Sequence, residues 1–399
     1  MQEEKIKSIV TNFEEEYLNW LRSQEGQTSA YEYEKSFVEF MRQVGKATLQ
    51  TTTESEFKSR NSKKKIQTTL GELEVGKASI MNQTSGPFKL SPYLQTKVVY
   101  VGQKEIFAEG SDSLRELGGV EINAKQIERV SHHWGGEIAP VIASCTQADT
   151  QRVKGLHYVM VDGAMIMTRE EKWKETKLGR IFPADELYRL GNEGNSRGWI
   201  RSSNYTGHIG NCHEFFDKFS DKVDLLEEFI CIGDGASWIW DWCKSNYPDA
   251  VRILDYWHAT ERMWKFIKSL YTSKSEQEEW IKVQEDLLWK DQVEQVLLNV
   301  EQIVSRKKTA KEEQAKLVTY LKNNKDKMLY GTYKKNGWLI GSGPIESAHR
   351  TVIQKRLKIS GQRWTIPGAQ KILNLRIAHK NNNWQKVIQL ISQPKAVAS

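Results

Sequence analysis

Three short apolar runs in the central part of the chain each end in an aspartate. Residues 158–161 lead into Asp162, residues 229–233 into Asp234, and residues 251–254 into Asp255. Short apolar runs of this kind are typical of strands that are buried on both faces. Strands that deliver carboxylates to one end of a sheet create repulsion, which cations between the carboxylates relieve. The alternative interpretation is that each aspartate merely ends its strand.

The pattern around these runs predicts an α/β domain with a mixed sheet flanked by helices. Strands are expected near residues 156–168, 178–182 and 198–203, followed by a helix over about 208–227. The Asp234 strand, a tryptophan-rich helix, the Asp255 strand and a helix from about His258 to Leu270 come next. This succession of elements is the order of an RNase H-like fold.

Residues 274–330 interrupt that alternation, because their apolar positions recur at helical spacing and predict an all-helical insertion. Beyond the insertion, residues 341–348 open another helix. Pro344 suits the first helical position, which would place Glu346 in the first turn. A glutamate there could also simply favour the helix dipole.

The N-terminal region predicts an α+β arrangement with its own elements. Residues 1–50 carry an apolar helical stripe, residues 51–65 have the composition of a linker, and residues 66–107 favour strands, including the apolar run 98–101. Two helices over 111–117 and 123–134 have helix-turn-helix spacing, and the second carries Lys125 and Arg129 as candidate DNA contacts. Many helical hairpins share that spacing.

These patterns together divide the chain into five regions. The expected regions are a helical N-terminus (1–60), a small DNA-binding region (61–150), a catalytic domain (151–272 with 341–380), a helical insertion (273–340) and a basic tail (381–399).

Charge is distributed unevenly along the chain. The net charge is +7, and residues 341–399 hold ten Lys or Arg against one acid, so that segment carries +9 and the remainder 7 − 9 = −2. A segment this basic favours a polyanionic partner, although basic side chains can also simply solvate a helix. The candidate DNA contacts here are Arg350, Lys355, Arg356, Lys358 and Arg363.

Other features of composition narrow the class of protein. No apolar run reaches 18 residues and the N-terminus lacks the apolar core of a secretory signal, so a soluble cytoplasmic protein without a membrane segment is expected. The four cysteines form no C-x-x-C pair, which argues against a zinc ribbon.

Asp162, Asp234 and Glu346 form a candidate metal-binding trio, with separations of 72 and 112 residues. Their hard oxygen ligands favour magnesium or manganese. A trio of this kind can hold two ions about 4 Å apart, which act on a phosphodiester by activating a nucleophile and stabilising the leaving oxygen.

Several motifs resemble those of the bacterial insertion-sequence transposases of the ISKra-four group. The matching residues are Asp162-Gly163 and the segments 233–240, 253–258, 341–348 and 356–364. The resemblance covers roughly residues 65–385. It implies an RNase H-like DDE transposase whose helical insertion lies between the second aspartate and the glutamate, with Asp162, Asp234 and Glu346 as the acidic triad. Asp255 and His258 match the Asp-x-x-His motif of related transposases.

The chain departs from that family pattern at two places. The family often carries a cysteine-rich stretch before the catalytic domain, and this chain has no cysteines around residues 66–107. His349-Arg350 also replaces a Cys-Lys pair that is common after the glutamate motif. Neither change removes a proposed metal ligand.

The expected function is therefore a DNA transposase that cleaves at element ends and joins the freed 3′-hydroxyl to target DNA. The resemblance implies two Mg²⁺ or Mn²⁺ ions, double-stranded DNA as partner, a dimer on paired element ends and a location at the bacterial nucleoid. Two alternatives remain open: an RNase H-like nuclease or junction resolvase, and a non-catalytic DNA-binding regulator.

Overall fold

The computed structural model describes residues 2–22, 29–55, 63–76, 79, 81, 86–148, 151–190 and 197–393. The chain divides into two compact units, which are considered separately. The first comprises Met1–Trp134 and Gln385–Ser399, and the second comprises Gly135–Trp384.

Helices dominate the first unit, with one two-stranded antiparallel sheet among them. In chain order the elements are α1 (Gln2–Arg22), α2 (Ala30–Ser55), β1 (Lys63–Thr68), β2 (Gly71–Gly76), α3 (Pro92–Lys104), α4 (Phe107–Gly118) and α5 (Ala124–Ala148), which begins in this unit. Phe13 and Tyr17 of α1 pack against Phe40 of α2. The predicted N-terminal helices are therefore present. The predicted linker is shorter than expected, because α2 runs to Ser55 and β1 starts at Lys63; residues 56–62 lie outside the described chain.

The apolar run 98–101, predicted as a strand, lies instead within helix α3. The Ser91 side chain accepts a hydrogen bond from the Leu94 backbone N–H at 3.2 Å, and Pro92 occupies the first turn. Leu94, Val98 and Val99 are buried at helical spacing. The prediction was wrong because capping and tertiary packing outweigh the β-propensity of four residues.

The two helices predicted at helix-turn-helix spacing both exist, with other boundaries. Helix α4 begins at Phe107, four residues before its predicted start, and ends at Gly119 in a left-handed conformation (φ 59°). Helix α5 continues to Ala148, well past the predicted end at residue 134. Whether this pair binds DNA stays a prediction.

A five-stranded mixed sheet with helices around it forms the centre of the second unit. Its strands are β3 (Val153–Thr168), β4 (Lys172–Pro183), β7 (Asn204–Ile209), β8 (Leu226–Gly233) and β9 (Val251–Leu254), and a separate hairpin contains β5 (Leu187–Leu190) and β6 (Arg197–Ile200). The sheet order is β7-β4-β3-β8-β9. Strand β4 is antiparallel to both β7 and β3, whereas β3, β8 and β9 run parallel.

The third strand of this sheet lies later in the chain than predicted. Residues 197–200 belong to the separate hairpin, and the sheet strand is β7. Gly207 of β7 lies so close to Leu373 and Ile377 that a Cβ atom would approach their side chains within 3.1 Å. Contact with that distant helix, rather than local sequence, selects residues 204–209 for the sheet.

The helices of the second unit follow the predicted order. They are α6 (Cys212–Val223), α7 (Ser237–Asn246), α8 (Tyr256–Leu270), α9 (Lys274–Leu288), α10 (Val293–Glu301), α11 (Lys308–Asn324) and α12 (Tyr330–Lys335). Residues 274–335 contain helices and no strand, as predicted. A continuous helical segment then comprises α13 (Gly343–Ala348), a π-helical turn (His349–Gln354) and α14 (Lys355–Leu357), and α15 (Ile366–Lys380) follows. The last helix, α16 (Trp384–Ser392), belongs to the first unit from Gln385 on. Across the described residues, no helix is both long and apolar enough to cross a membrane.

Candidate active site

The parallel strands bring the three aspartates to one edge of the sheet. Met160 of β3 pairs with Ile232 of β8, and Asp162 and Asp234 each lie two residues further along in the same direction. Gly233 pairs with Leu254 of β9, so Asp234 and Asp255 each follow a paired residue directly. Because these parallel strands are in register, the three acids occupy neighbouring positions across the sheet. Strand β3 does not end at Asp162 as expected, because its pairing with β4 continues to Thr168.

The surroundings of Asp162 shift the pKa of its carboxyl group. Burial raises the pKa of its carboxyl to about 6, and the negative charges of Asp234 and Glu346 act in the same direction. The Gly163 backbone N–H, 2.7 Å from Oδ1, and His258 oppose that rise in the pKa. The carboxylates of the predicted triad therefore interact electrostatically.

Asp255, His258 and Glu346 form the tightest group of possible metal ligands. One ligand atom from each lies within 4.8 Å of those of the other two. The sequence predicted His258 beside the metals and not bound to them, whereas the structure places it among the candidate ligands. Among the described residues, Asp162, Asp234 and Glu346 do not form a group this tight. Which of the acids hold an ion stays a prediction.

Asp255 also organises the backbone around the group. Its carboxylate is fully buried, and Oδ1 accepts a hydrogen bond from the His258 backbone N–H at 3.0 Å, which caps α8. Oδ2 accepts a hydrogen bond from the backbone N–H of Ser342, directly before α13. One side chain thus connects a strand end, the helix of His258 and the helix of Glu346.

Glu346 projects from the first turn of α13, as predicted, and half of its side chain is exposed. Arg180 of β4 holds the start of this helix. It is buried, and its Nη1 donates a hydrogen bond to the Pro344 carbonyl at 2.6 Å while Nε donates to Ser203 Oγ at 3.0 Å. Sequence reasoning missed Arg180, since nothing local distinguishes it from an exposed strand residue.

Tyrosines from the helical region between α8 and α13 hold the strand ends in place. The hydroxyl of Tyr320 donates to the Asp234 carbonyl at 3.0 Å, and that of Tyr330 to the Leu254 carbonyl at 3.1 Å. Gly235 follows with φ +99°, and a Cβ there would lie 2.6 Å from the Tyr320 ring. The glycine after Asp234 is therefore required by backbone conformation and by this close approach of the ring.

His349, in the π-helical turn, faces the first aspartate. Its Nε2 lies 3.3 Å from Asp162 Oδ2, at an angle unsuitable for a hydrogen bond. Burial lowers the pKa of the imidazole to about 4, so the ring is neutral at pH 7. His349 therefore contacts the site without adding positive charge.

The candidate DNA contacts divide by exposure. Six are exposed: Lys125, Arg129, Arg350, Lys355, Lys358 and Arg363. Arg356 is completely buried, with its guanidinium 4.9 Å from the centre of the Trp364 ring. Its assignment as a DNA contact is therefore wrong in this structure, because the aromatic packing directs the side chain into the core.

Two of these exposed cations have an acidic partner: Lys125 Nζ lies 2.8 Å from Glu128, and an Nη atom of Arg350 lies 3.9 Å from Glu346. The chain matches no known family model and no curated protein.

Proposed function

We propose that this protein is a DNA transposase that cleaves DNA at the ends of a mobile element and joins the freed 3′-hydroxyl to a target. The observation that carries the proposal is the convergence of Asp162, Asp234 and Asp255 on one sheet edge, opposite a helix-borne Glu346. Acids gathered in this way repel one another, and this repulsion adds to the larger effect of burial in raising the pKa of Asp162. Bound divalent cations would offset it.

The sheet supports an RNase H-like architecture for this catalytic unit. Three antiparallel strands precede two parallel ones, and the order β7-β4-β3-β8-β9 places the first strand of the sheet at its centre. The acids lie on or directly after the central strand β3 and the two strands parallel to it, β8 and β9. This arrangement is the one that the family resemblance implies.

The donor set fits magnesium or manganese. Carboxylate oxygens are the hard ligands these ions prefer, and Asp162, Asp234 and Glu346 would hold two ions with His258 beside them. When bound, such ions polarise the phosphodiester and lower the pKa of the attacking hydroxyl. The chain itself aligns the ligands: Asp255 connects the strand end to both helices, and Arg180 anchors the helix of Glu346.

The exposed cations after Glu346 suit a DNA backbone. Arg350, Lys355, Lys358 and Arg363 follow the glutamate within eighteen residues and are exposed. Interactions between such side chains and phosphates supply affinity without sequence preference. Element ends and target DNA are the proposed partners, and pairing two ends calls for a dimer.

The decisive experiment uses the DNA that flanks the gene. Purified protein with Mg²⁺ should nick that DNA at inverted repeats and produce strand-joined products, and Asp234→Asn should do neither while still binding. Cleavage without joining would indicate a nuclease or resolvase. Binding without cleavage by the unaltered protein would indicate a regulator.

A further inference from the structure

Trp257 lies between two residues of the candidate active site and is exposed to solvent. Asp255 caps α8 two residues before it, and His258 follows it directly. All fourteen tryptophans fall in the described chain, and Trp257 is the most exposed of them at 67%. Single exposed apolar residues are common on protein surfaces, so position rather than exposure alone distinguishes this one.

The surrounding structure holds the Trp257 indole at the acidic edge. A Cβ atom on Gly341 would lie 3.1 Å from the indole Cδ1, 3.2 Å from Nε1 and 4.0 Å from Asp255 Oδ2. One edge of the ring therefore rests on the glycine backbone, close to the buried carboxylate.

The preceding aromatic residue, Tyr256, has a different environment. Tyr256 is buried and packs against Trp289 and Tyr330. The chain thus buries one of two consecutive aromatic rings and leaves the other exposed, against Gly341 and near Asp255.

We propose that Trp257 is a stacking platform for an unpaired base of the DNA strand whose phosphate lies at the acidic edge. This inference rests on the proposed function, because it assumes that DNA occupies that edge. Every base presents a π-face, so an exposed indole binds bases with little sequence preference. A base inside a duplex is already stacked on both neighbours, so a base freed from the duplex is a better partner for Trp257. Trp257 would therefore favour DNA that is unpaired next to the scissile phosphate.

The test measures binding without cleavage. In the Asp234→Asn background, with EDTA present, we would compare a blunt duplex with the same duplex carrying a single-stranded overhang. Trp257→Ala should weaken overhang binding roughly 5- to 150-fold, the range for loss of one base–aromatic stack, and should leave blunt-duplex binding nearly unchanged. Trp257→Phe should retain most of the preference for the overhang.

Trp199→Ala provides the matched control, because Trp199 is also exposed (56%) but lies in the separate β5–β6 hairpin. It should bind both probes like the parent. Loss of affinity for both probes alike in Trp257→Ala, or no loss at all, would overturn the stacking role. Absence of DNA binding by the parent would overturn the proposed function as well, so the two failures are distinguishable.

Discussion

The acidic edge of the sheet and the basic segment after Glu346 accommodate their charges in different ways. At the edge, backbone pairing places Asp162, Asp234 and Asp255 side by side, and the structure tolerates their repulsion. In the basic segment, local packing differs from one side chain to the next, so Arg350 is exposed and Arg356 is buried on Trp364. Strand register therefore brings the acids together, whereas side-chain packing determines which basic side chains are exposed and which are buried.

The largest expected effect is at the edge. Asp162→Asn, Asp234→Asn and Glu346→Gln should each reduce Mg²⁺-dependent nicking by roughly 10³-fold or more, because each removes a charge that stabilises bound ions worth several kcal/mol to the transition state. DNA affinity, measured by gel shift, should change little. Nicking at the parental rate by any one variant would remove that residue from the triad.

His258 lies among the acids, and its replacement should distinguish a metal ligand from a group that positions substrate. If its imidazole positions substrate, His258→Ala should slow single-turnover nicking by roughly 10²–10⁴-fold, the range for one acid–base group, with little change in Mn²⁺ dependence. Asp234→Asn should shift that dependence to higher Mn²⁺. An equal shift in both variants would make His258 a ligand, in keeping with its proximity to Asp255 and Glu346.

Arg356 and Lys358 test the difference between a buried and an exposed basic side chain in this segment. Arg356→Ala should lower the free energy of unfolding by about 2–4 kcal/mol, because it removes a fully buried side chain. The exposed Lys358→Ala should change it by no more than about 0.5 kcal/mol. Urea denaturation measures both, and equal values would show that Arg356 does not support the core.

The burial of Asp162, together with the repulsion from the neighbouring acids, should be visible as a pH dependence of stability. Because the folded pKa of Asp162, about 6, exceeds the ordinary value of 3.8, ionisation opposes folding. That destabilisation develops as pH rises from about 4 to 6 and is complete above it. In EDTA, Asp162→Asn should be more stable than the parent at pH 7.5 by about 1–3 kcal/mol, and equally stable below pH 4. A parent as stable as the variant at pH 7.5 would contradict the raised pKa of Asp162.

The smallest effect concerns the exposed cations as a set. Replacing Arg350, Lys355, Lys358 and Arg363 with alanine should flatten the dependence of log affinity on log salt concentration. The slope should change by up to about 0.9 for each phosphate that the protein no longer neutralises. Affinity for unrelated duplexes should fall equally. An unchanged slope would mean that these side chains only solvate the helix.

Local sequence patterns predicted the strands that carry or precede the acids, the helical region after α8 and the placement of Glu346 in a first helical turn. These features follow from local rules: short apolar runs, helical periodicity and the preference of proline for a helix start. The same rules misassigned residues 98–101, since four β-prone residues cannot reveal the cap and packing of α3.

Contacts between residues far apart in the sequence assemble the site. Asp255 binds a backbone N–H 87 residues away, and Arg180 binds a carbonyl 164 residues away. A ligand atom of His258 lies within 4.8 Å of one from Glu346, and the Arg356 guanidinium packs on the Trp364 ring. Periodicity reports which face of an element is apolar, but it carries no information about which distant element covers that face. Interactions between residues far apart in sequence therefore determine which charged side chains remain available for chemistry.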